Sequence, residues 1–135
     1  MSIVSIVIPV HNGGESFQNC LSSLNQFIPP STEIIIVVDG GSDASEQLAR
    51  SFGAKVVTFP TAGGPARARN LGAKVAKGDI LLFLDADVTI HAQTLPQVVA
   101  IFEDRPDVAA LIGSYDDAPG APNFLSQYKN LFHHY

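Results

Sequence analysis

Positive charge is scarce in this chain: 8 Lys and Arg stand against 13 Asp and Glu among 135 residues, for a net charge of -5. That shortage argues against a nucleic-acid partner, since neutralising phosphates takes clustered basic side chains. A nucleotide ligand stays open, because a bound divalent cation can carry the positive charge instead. Cysteine is reduced to a single residue, Cys20, which leaves no internal disulfide and no second thiol for a metal site. Such usage fits a reducing compartment. Long apolar runs are absent too: the longest are of strand length, far short of the ~20 residues that cross a bilayer. The opening Met1-Ser2-Ile3-Val4-Ser5 lacks a basic stretch, so no signal peptide is visible. Repeats, low-complexity tracts and clear linkers are missing as well. The length suits one domain. A content of 46% hydrophobic against 16% charged residues fills a core and argues against disorder.

What is present is an alternation. Residues 3–10 form an apolar, β-branched run that ends in Pro9-Val10-His11-Asn12-Gly13-Gly14, which reads as a buried strand and a turn. Phe17, Cys20, Leu21, Leu24 and Phe27 then recur at three and four, a helix face, with Ser16 as its expected cap and Pro29-Pro30 as its stop. Cys20 on that face is expected in the core. Residues 33–38 read as a second strand, followed by the polar loop Asp39-Gly40-Gly41-Ser42-Asp43. Asp43 and Glu46 have capping-box spacing for a short helix to Phe52, closed by Gly53. Residues 55–59 read as a third strand. Gly63-Gly64-Pro65 opens a helix that carries Arg67, Arg69 and Asn70 and ends at Gly78. Residues 79–84 read as a fourth strand, and Asp85-Ala86-Asp87 follows it directly. A helix marked by Leu95, Val98, Val99 and Phe102, with Pro96 near its start, precedes a fifth strand at residues 108–112. Beyond these lie a loop at 116–122 and an amphipathic helix marked by Phe124, Leu125, Tyr128, Leu131 and Phe132.

Apolar strands alternating with amphipathic helices predict an α/β fold: a three-layer αβα sandwich around a mostly parallel sheet. Ligands of such folds collect beyond the carboxyl ends of the strands. His11-Asn12, Asp39 and the pair Asp85 and Asp87 fall there, and their convergence is the main reason to expect a site. Two carboxylates one residue apart suit Mg²⁺, which takes one or two carboxylates together with a ligand's phosphates; the metal would neutralise a leaving diphosphate. Alternatively, Asp at a strand end only makes a turn. An ionised Asp39 can only accept hydrogen bonds, so it suits the N3–H of uracil or a ribose hydroxyl, or else serves as a turn residue. Arg67 or Arg69 can reach a diphosphate, assisted by the helix N-terminus after Gly64, or both are solvated helix charges. His11 is a candidate to stack on a base, although a lone His near a turn is more often incidental. Nothing is assigned to His133 or His134, and Asp116 and Asp117 read better as a solvated loop than as groups that reach the site.

The segments Ser5-Ile6-Val7-Ile8-Pro9-Val10-His11-Asn12, residues 33–45, Ala68-Arg69-Asn70 after Gly63, and Phe83-Leu84-Asp85-Ala86-Asp87 occur in order at ordinary spacing. Together they resemble the inverting glycosyltransferases of family 2, with the GT-A fold, over about residues 3–114. Two departures are visible: His11 stands where Tyr is commoner, and Val38 replaces the first of two adjacent acids. The resemblance implies a Rossmann-like donor-binding half whose nucleotide site includes Pro9, His11, Asn12, Asp39, Gly64, Arg69, Asp85 and Ala86. It implies that Asp39 reads the base and that Asp87, with Asp85, holds Mn²⁺ or Mg²⁺. The donor would be a nucleotide-diphosphate sugar, UDP-linked by first expectation. The acceptor would be a glycan or lipid-linked sugar in cell-envelope polysaccharide synthesis. Sugar would pass to an acceptor hydroxyl with inversion. A cytoplasmic location is expected, at the inner face of the membrane with peripheral contact. The catalytic base and the acceptor half are expected beyond Tyr135, in a chain truncated inside a helix-like pattern.

Three rival readings compete. A catalytically silent nucleotide-sugar-binding or sensing module needs the same site and no base. A dinucleotide oxidoreductase needs Gly-x-Gly-x-x-Gly after the first strand, where this chain has His11-Asn12-Gly13-Gly14-Glu15. A receiver places its acids after the first and third strands, whereas here they follow the second and fourth.

Overall fold

In the computed structural model, residues 2–111 are described. They run β1 (Val4–Val10), α1 (Gly14–Phe27), β2 (Glu33–Asp39), α2 (Ser45–Phe52), β3 (Lys55–Phe59), α3 (Pro65–Val75), β4 (Ile80–Phe83) and α4 (Thr94–Asp104). The strands lie in one sheet in the order β3-β2-β1-β4, and every pairing is parallel. Parallel neighbours need a crossover between them, which α1, α2 and α3 supply.

The alternation along β1 decides which face each helix covers. Val4, Ile6, Ile8 and Val10 point into a core shared with Phe17, Cys20, Leu21 and Leu24 of α1, Ala49 of α2, and Leu95 and Val98 of α4. Val7 points the other way and packs with Ile35, Val37 and Ala68, the last on α3. The sheet thus has α1, α2 and α4 on one face and α3 on the other, the expected three layers. Burying each large side chain, such as the fully buried Phe17 and Leu24, contributes roughly 1.5–3 kcal/mol. Helix α3 lies close on its face because Gly72 has no side chain: a Cβ there would stand 2.2 Å from Cγ1 of Val7. Among the described residues no helix is long and apolar enough to cross a membrane.

Several local expectations need correction. Ser16 is no cap, because α1 begins two residues earlier, with Gly13 at its N-cap. The Asp43–Glu46 box forms only by half: Asp43 Oδ1 accepts from the Ser45 N–H at the start of α2, at 3.0 Å, but Glu46 pairs with Arg50 at 3.2 Å. Gly53 does close α2, in the left-handed region at φ 90°. Helix α3 ends at Val75, with Ala76 as its C-cap, ahead of Gly78. Residues 108–111 form no strand. They follow a turn in which the Val108 N–H meets the Arg105 carbonyl, and their two alanines favour strands weakly. Ile112, the Asp116–Asp117 loop, the amphipathic run from Phe124 to Phe132, His133 and His134 lie outside the described residues.

Candidate nucleotide site at the carboxyl ends of the strands

From β1 the chain steps to β2 and β3 on one side, while β4 lies on the other. The strand order therefore reverses beside β1, and an open parallel sheet binds ligands in the crevice formed at such a reversal. A crevice of about 480 Å³ opens there. Pro9, His11 and Asn12 of the β1 end, Asp39 of the β2 end, Arg69 of α3, and Asp85, Ala86 and Asp87 beyond β4 all line it. Of the residues offered for the site, Gly64 and Arg67 are off its wall. Val10, Gly13, Ser16 and Pro65 also line it; their neighbours in sequence were the only signal that could have found them.

Asp39 is 4% exposed. Its Oδ1 accepts from the Gly63 N–H at 2.9 Å and from Arg67 Nη2 at 2.9 Å, and its Oδ2 accepts from the Gly64 N–H at 2.8 Å. Burial works to raise its pKa, but the Gly63 N–H, the Arg67 guanidinium and the Gly64 N–H outweigh it and hold the carboxyl below its usual value. Asp39 thus caps α3 from another strand, and the amides of Gly63 and Gly64 at that helix start are committed to it. Arg67 accordingly turns away from the crevice, towards Asp39 and the Thr61 carbonyl, which it meets at 2.6 Å.

Arg69 takes the opposite course. Its Nη2 donates to Asp85 Oδ1 at 2.7 Å, and its buried Nε is without a hydrogen-bond partner. An unmet buried donor on a crevice wall is costly unless a ligand satisfies it. Asp85 and Asp87 sit in a turn closed by the Val88 N–H on the Asp85 carbonyl, 3.1 Å. Asp85 is half-buried and Asp87 exposed. Behind them, Cys20 is buried as expected. Its thiol is pushed up to about 12 by burial first, then by Asp87 and Asp85, so it stays neutral.

The turn after β1 is held by the loop after β2. Asn12 has φ 49°, a left-handed conformation that asparagine tolerates better than most residues. Its Oδ1 accepts from the N–H groups of Ser42 at 2.9 Å and Asp43 at 3.2 Å. Asp43 Oδ2 accepts from the Gly14 N–H, and Ser45 Oγ from the Gly13 N–H, both at 3.1 Å. The Asp43 carboxyl lies below its usual value, chiefly through its hydrogen bonding with Ser45 against a smaller opposing effect of burial. His11 Nδ1 lies 2.9 Å from the Asp39 carbonyl, which requires the proton on Nδ1. These stitches through Asp43 and Ser45 were not anticipated, because they join residues about thirty positions apart.

Among the described residues no three His, Cys, Asp or Glu side chains are grouped so as to hold a metal ion. Asp85 and Asp87 fit a divalent cation in another way: two carboxylates suffice when a ligand's phosphates complete the shell.

The family model for Glycosyl transferase family 2 matches residues 5–133. Glycosyltransferase AglE of Haloferax volcanii is 36% identical over 107 residues, 74% of this chain and 35% of that protein. Poly(ribitol-phosphate) beta-glucosyltransferase of Bacillus spizizenii is 40% identical over 100 residues, 68% of this chain and 16% of that protein. The crystal structure of S. aureus TarS 1-349 in complex with UDP-GlcNAc superimposes with a TM-score of 0.78 at 26% identity, over 93% of this chain and 38% of that one. The chain spans 35%, 39% and 32% of the length of three curated relatives it matches.

Proposed function

The chain belongs to glycosyl transferase family 2, and from that premise we propose that its crevice holds the nucleotide-diphosphate end of a sugar donor, a UDP-sugar. The chain then forms the donor-binding part of an enzyme that passes the sugar to a hydroxyl of a glycan or lipid-linked acceptor, with inversion at the anomeric carbon. The observation that carries this reading is the meeting of Asp39, Asp85 and Asp87, from the ends of β2 and β4, in one crevice. A structurally similar protein, TarS, binds UDP-GlcNAc, which supports the donor class.

The residues divide the work. Asp39, ionised and able only to accept, takes the N3–H of uracil. His11 and Pro9 border the base. Asp85 has one oxygen on Arg69 and offers the other to ribose. Asp87, exposed at the turn, holds a cation shared with the diphosphate, with Asp85 beside it. Bound Mn²⁺ or Mg²⁺ supplies charge neutralisation for the diphosphate as it leaves. Arg69 places its unmet Nε–H and its guanidinium charge on the same side, where a charge-assisted hydrogen bond to a phosphate is strong.

Calorimetric titration tests the site. UDP should bind about tenfold or more weakly when Mn²⁺ is replaced by a chelator, a difference of about 1.4 kcal/mol or more. Asp87→Ala should remove that difference without changing the unfolding temperature, as the side chain is exposed. Equal affinity with and without Mn²⁺ in the unaltered chain refutes the cation's role.

A further inference from the structure

The group beside the crevice that the function above leaves unused is Arg67. Its guanidinium stacks on Phe59, with Cζ 3.7 Å from the ring centroid. On another side it rests against Gly63, where a Cβ would stand 2.1 Å from Cζ, so only glycine leaves room. One nitrogen, Nη2, bridges Asp39 Oδ1 and the Thr61 carbonyl. Arg67 is thus fixed by a ring, a backbone and a carbonyl, and it touches the crevice only through Asp39.

An ionised carboxylate has about four acceptor sites. The Gly63 N–H, the Gly64 N–H and Arg67 occupy three of those on Asp39, which leaves one for a ligand. We propose that Arg67 is the positioning residue for base selectivity: it keeps Asp39 an obligate acceptor, in one rotamer, and so admits bases with a ring N–H and refuses cytosine. The inference rests on the nucleotide-donor reading above. Uracil, thymine and guanine present a ring N–H, whereas cytosine presents a bare acceptor at N3. A carboxyl that could take a proton or turn would donate to cytosine as readily as it accepts from uracil. The two glycine amides hold the oxygens but add no full charge. Arg67 adds the charge that disfavours protonation, and its planar guanidinium, clamped on two faces, limits rotation.

Binding of UDP, CDP and pyrophosphate, each with Mn²⁺, is measured for the unaltered chain, Arg67→Gln and Arg67→Lys, together with unfolding temperatures. A site built to pair a ligand N–H discriminates strongly against an analogue that lacks it. The unaltered chain should favour UDP over CDP by about tenfold or more. Arg67→Gln should bring that ratio towards one and leave pyrophosphate affinity alone, and Arg67→Lys, which keeps the charge, should restore part of it. A parallel fall in all three ligands means a merely structural role and overturns the proposal, as does an unchanged ratio in Arg67→Gln. Should Arg67→Gln fail to fold, the lysine variant decides: a ratio equal to that of the unaltered chain overturns it. An unaltered chain that binds UDP and CDP equally overturns this inference and spares the site; one that binds neither nucleotide overturns the reading of the site itself.

Discussion

The two ends of the sheet use the same kinds of residue in opposite ways. At the amino end, the fully buried Ser5 donates its hydroxyl to Glu33 Oε1 and accepts from the Gly78 N–H at 2.8 Å. The same Glu33 oxygen accepts from the Lys77 N–H at 2.8 Å. Asp79 Oδ2 accepts from the Ile3 N–H at 2.9 Å. Gly78 is pressed against this knot, since a Cβ there would stand 2.5 Å from Ser5 Oγ. Every group here binds the loop after α3 to the starts of β1 and β2. At the carboxyl end, acids and an arginine line an open crevice with capacity to spare: Asp87 is exposed, Asp85 is half-buried, and Arg69 Nε is unmet. An acid at a strand end is therefore not informative by type. What separates a tie from a site is hydrogen-bonding capacity that folding leaves unspent.

Asp39 stands between these cases, and removing it should have the largest effect. It lines the crevice yet is committed like Glu33. Asp39→Ala strands the amides of Gly63 and Gly64 and leaves Arg67 without its anion. Loss of a buried, charged hydrogen-bond partner should lower stability by about 3 kcal/mol, read as a shift of the urea midpoint, and should weaken UDP binding as well. Ser5→Ala should be milder, about 1–2 kcal/mol, because it frees one amide and one carboxylate contact at the edge of the core. It should leave nucleotide affinity unchanged. A Ser5 variant that lost UDP binding while keeping its stability would erase the distinction between the two ends.

The elements and the convergence were readable from residue order because both are local. Strand runs such as residues 33–38 announce themselves in apolar β-branched stretches, and the acids follow directly after them. What escaped was tertiary capping. The first turn of α1 is satisfied by Asp43 of another loop and Ser45 at the start of α2, and the start of α3 by Asp39 of β2. Local rules therefore placed a cap at Ser16 that the fold does not use, and of the Asp43–Glu46 box only Asp43 serves, on the Ser45 N–H. The same rules turned the helix start after Gly64 towards a diphosphate, although a carboxylate 25 positions earlier already holds the Gly64 amide. The supposed strand failed over residues 108–111 for a related reason: an apolar run implies burial, but pairing depends on how the chain leaves α4.

Acid titration sharpens the comparison by its smallest effect. The Glu33 carboxyl lies below its usual value chiefly through the Lys77 N–H, then through Ser5, against a smaller opposing effect of burial. Asp39 is lowered as well. A carboxyl with a depressed pKa in the folded state contributes stability that is complete above the unfolded value, about 4. That stability is lost as pH falls through the folded value, because the unfolded chain then binds more protons. The unfolding temperature should therefore hold steady, as far as these groups govern it, down to about pH 5 and decline below about pH 4. Glu33→Gln removes the amino-end share, so it should lower stability at neutral pH by an amount that shrinks in acid, with UDP affinity at pH 7 untouched. If Glu33→Gln and the unaltered chain lose stability in parallel down to pH 3, Glu33 is not held ionised by Ser5 and Lys77, and the contrast must rest on the crevice alone.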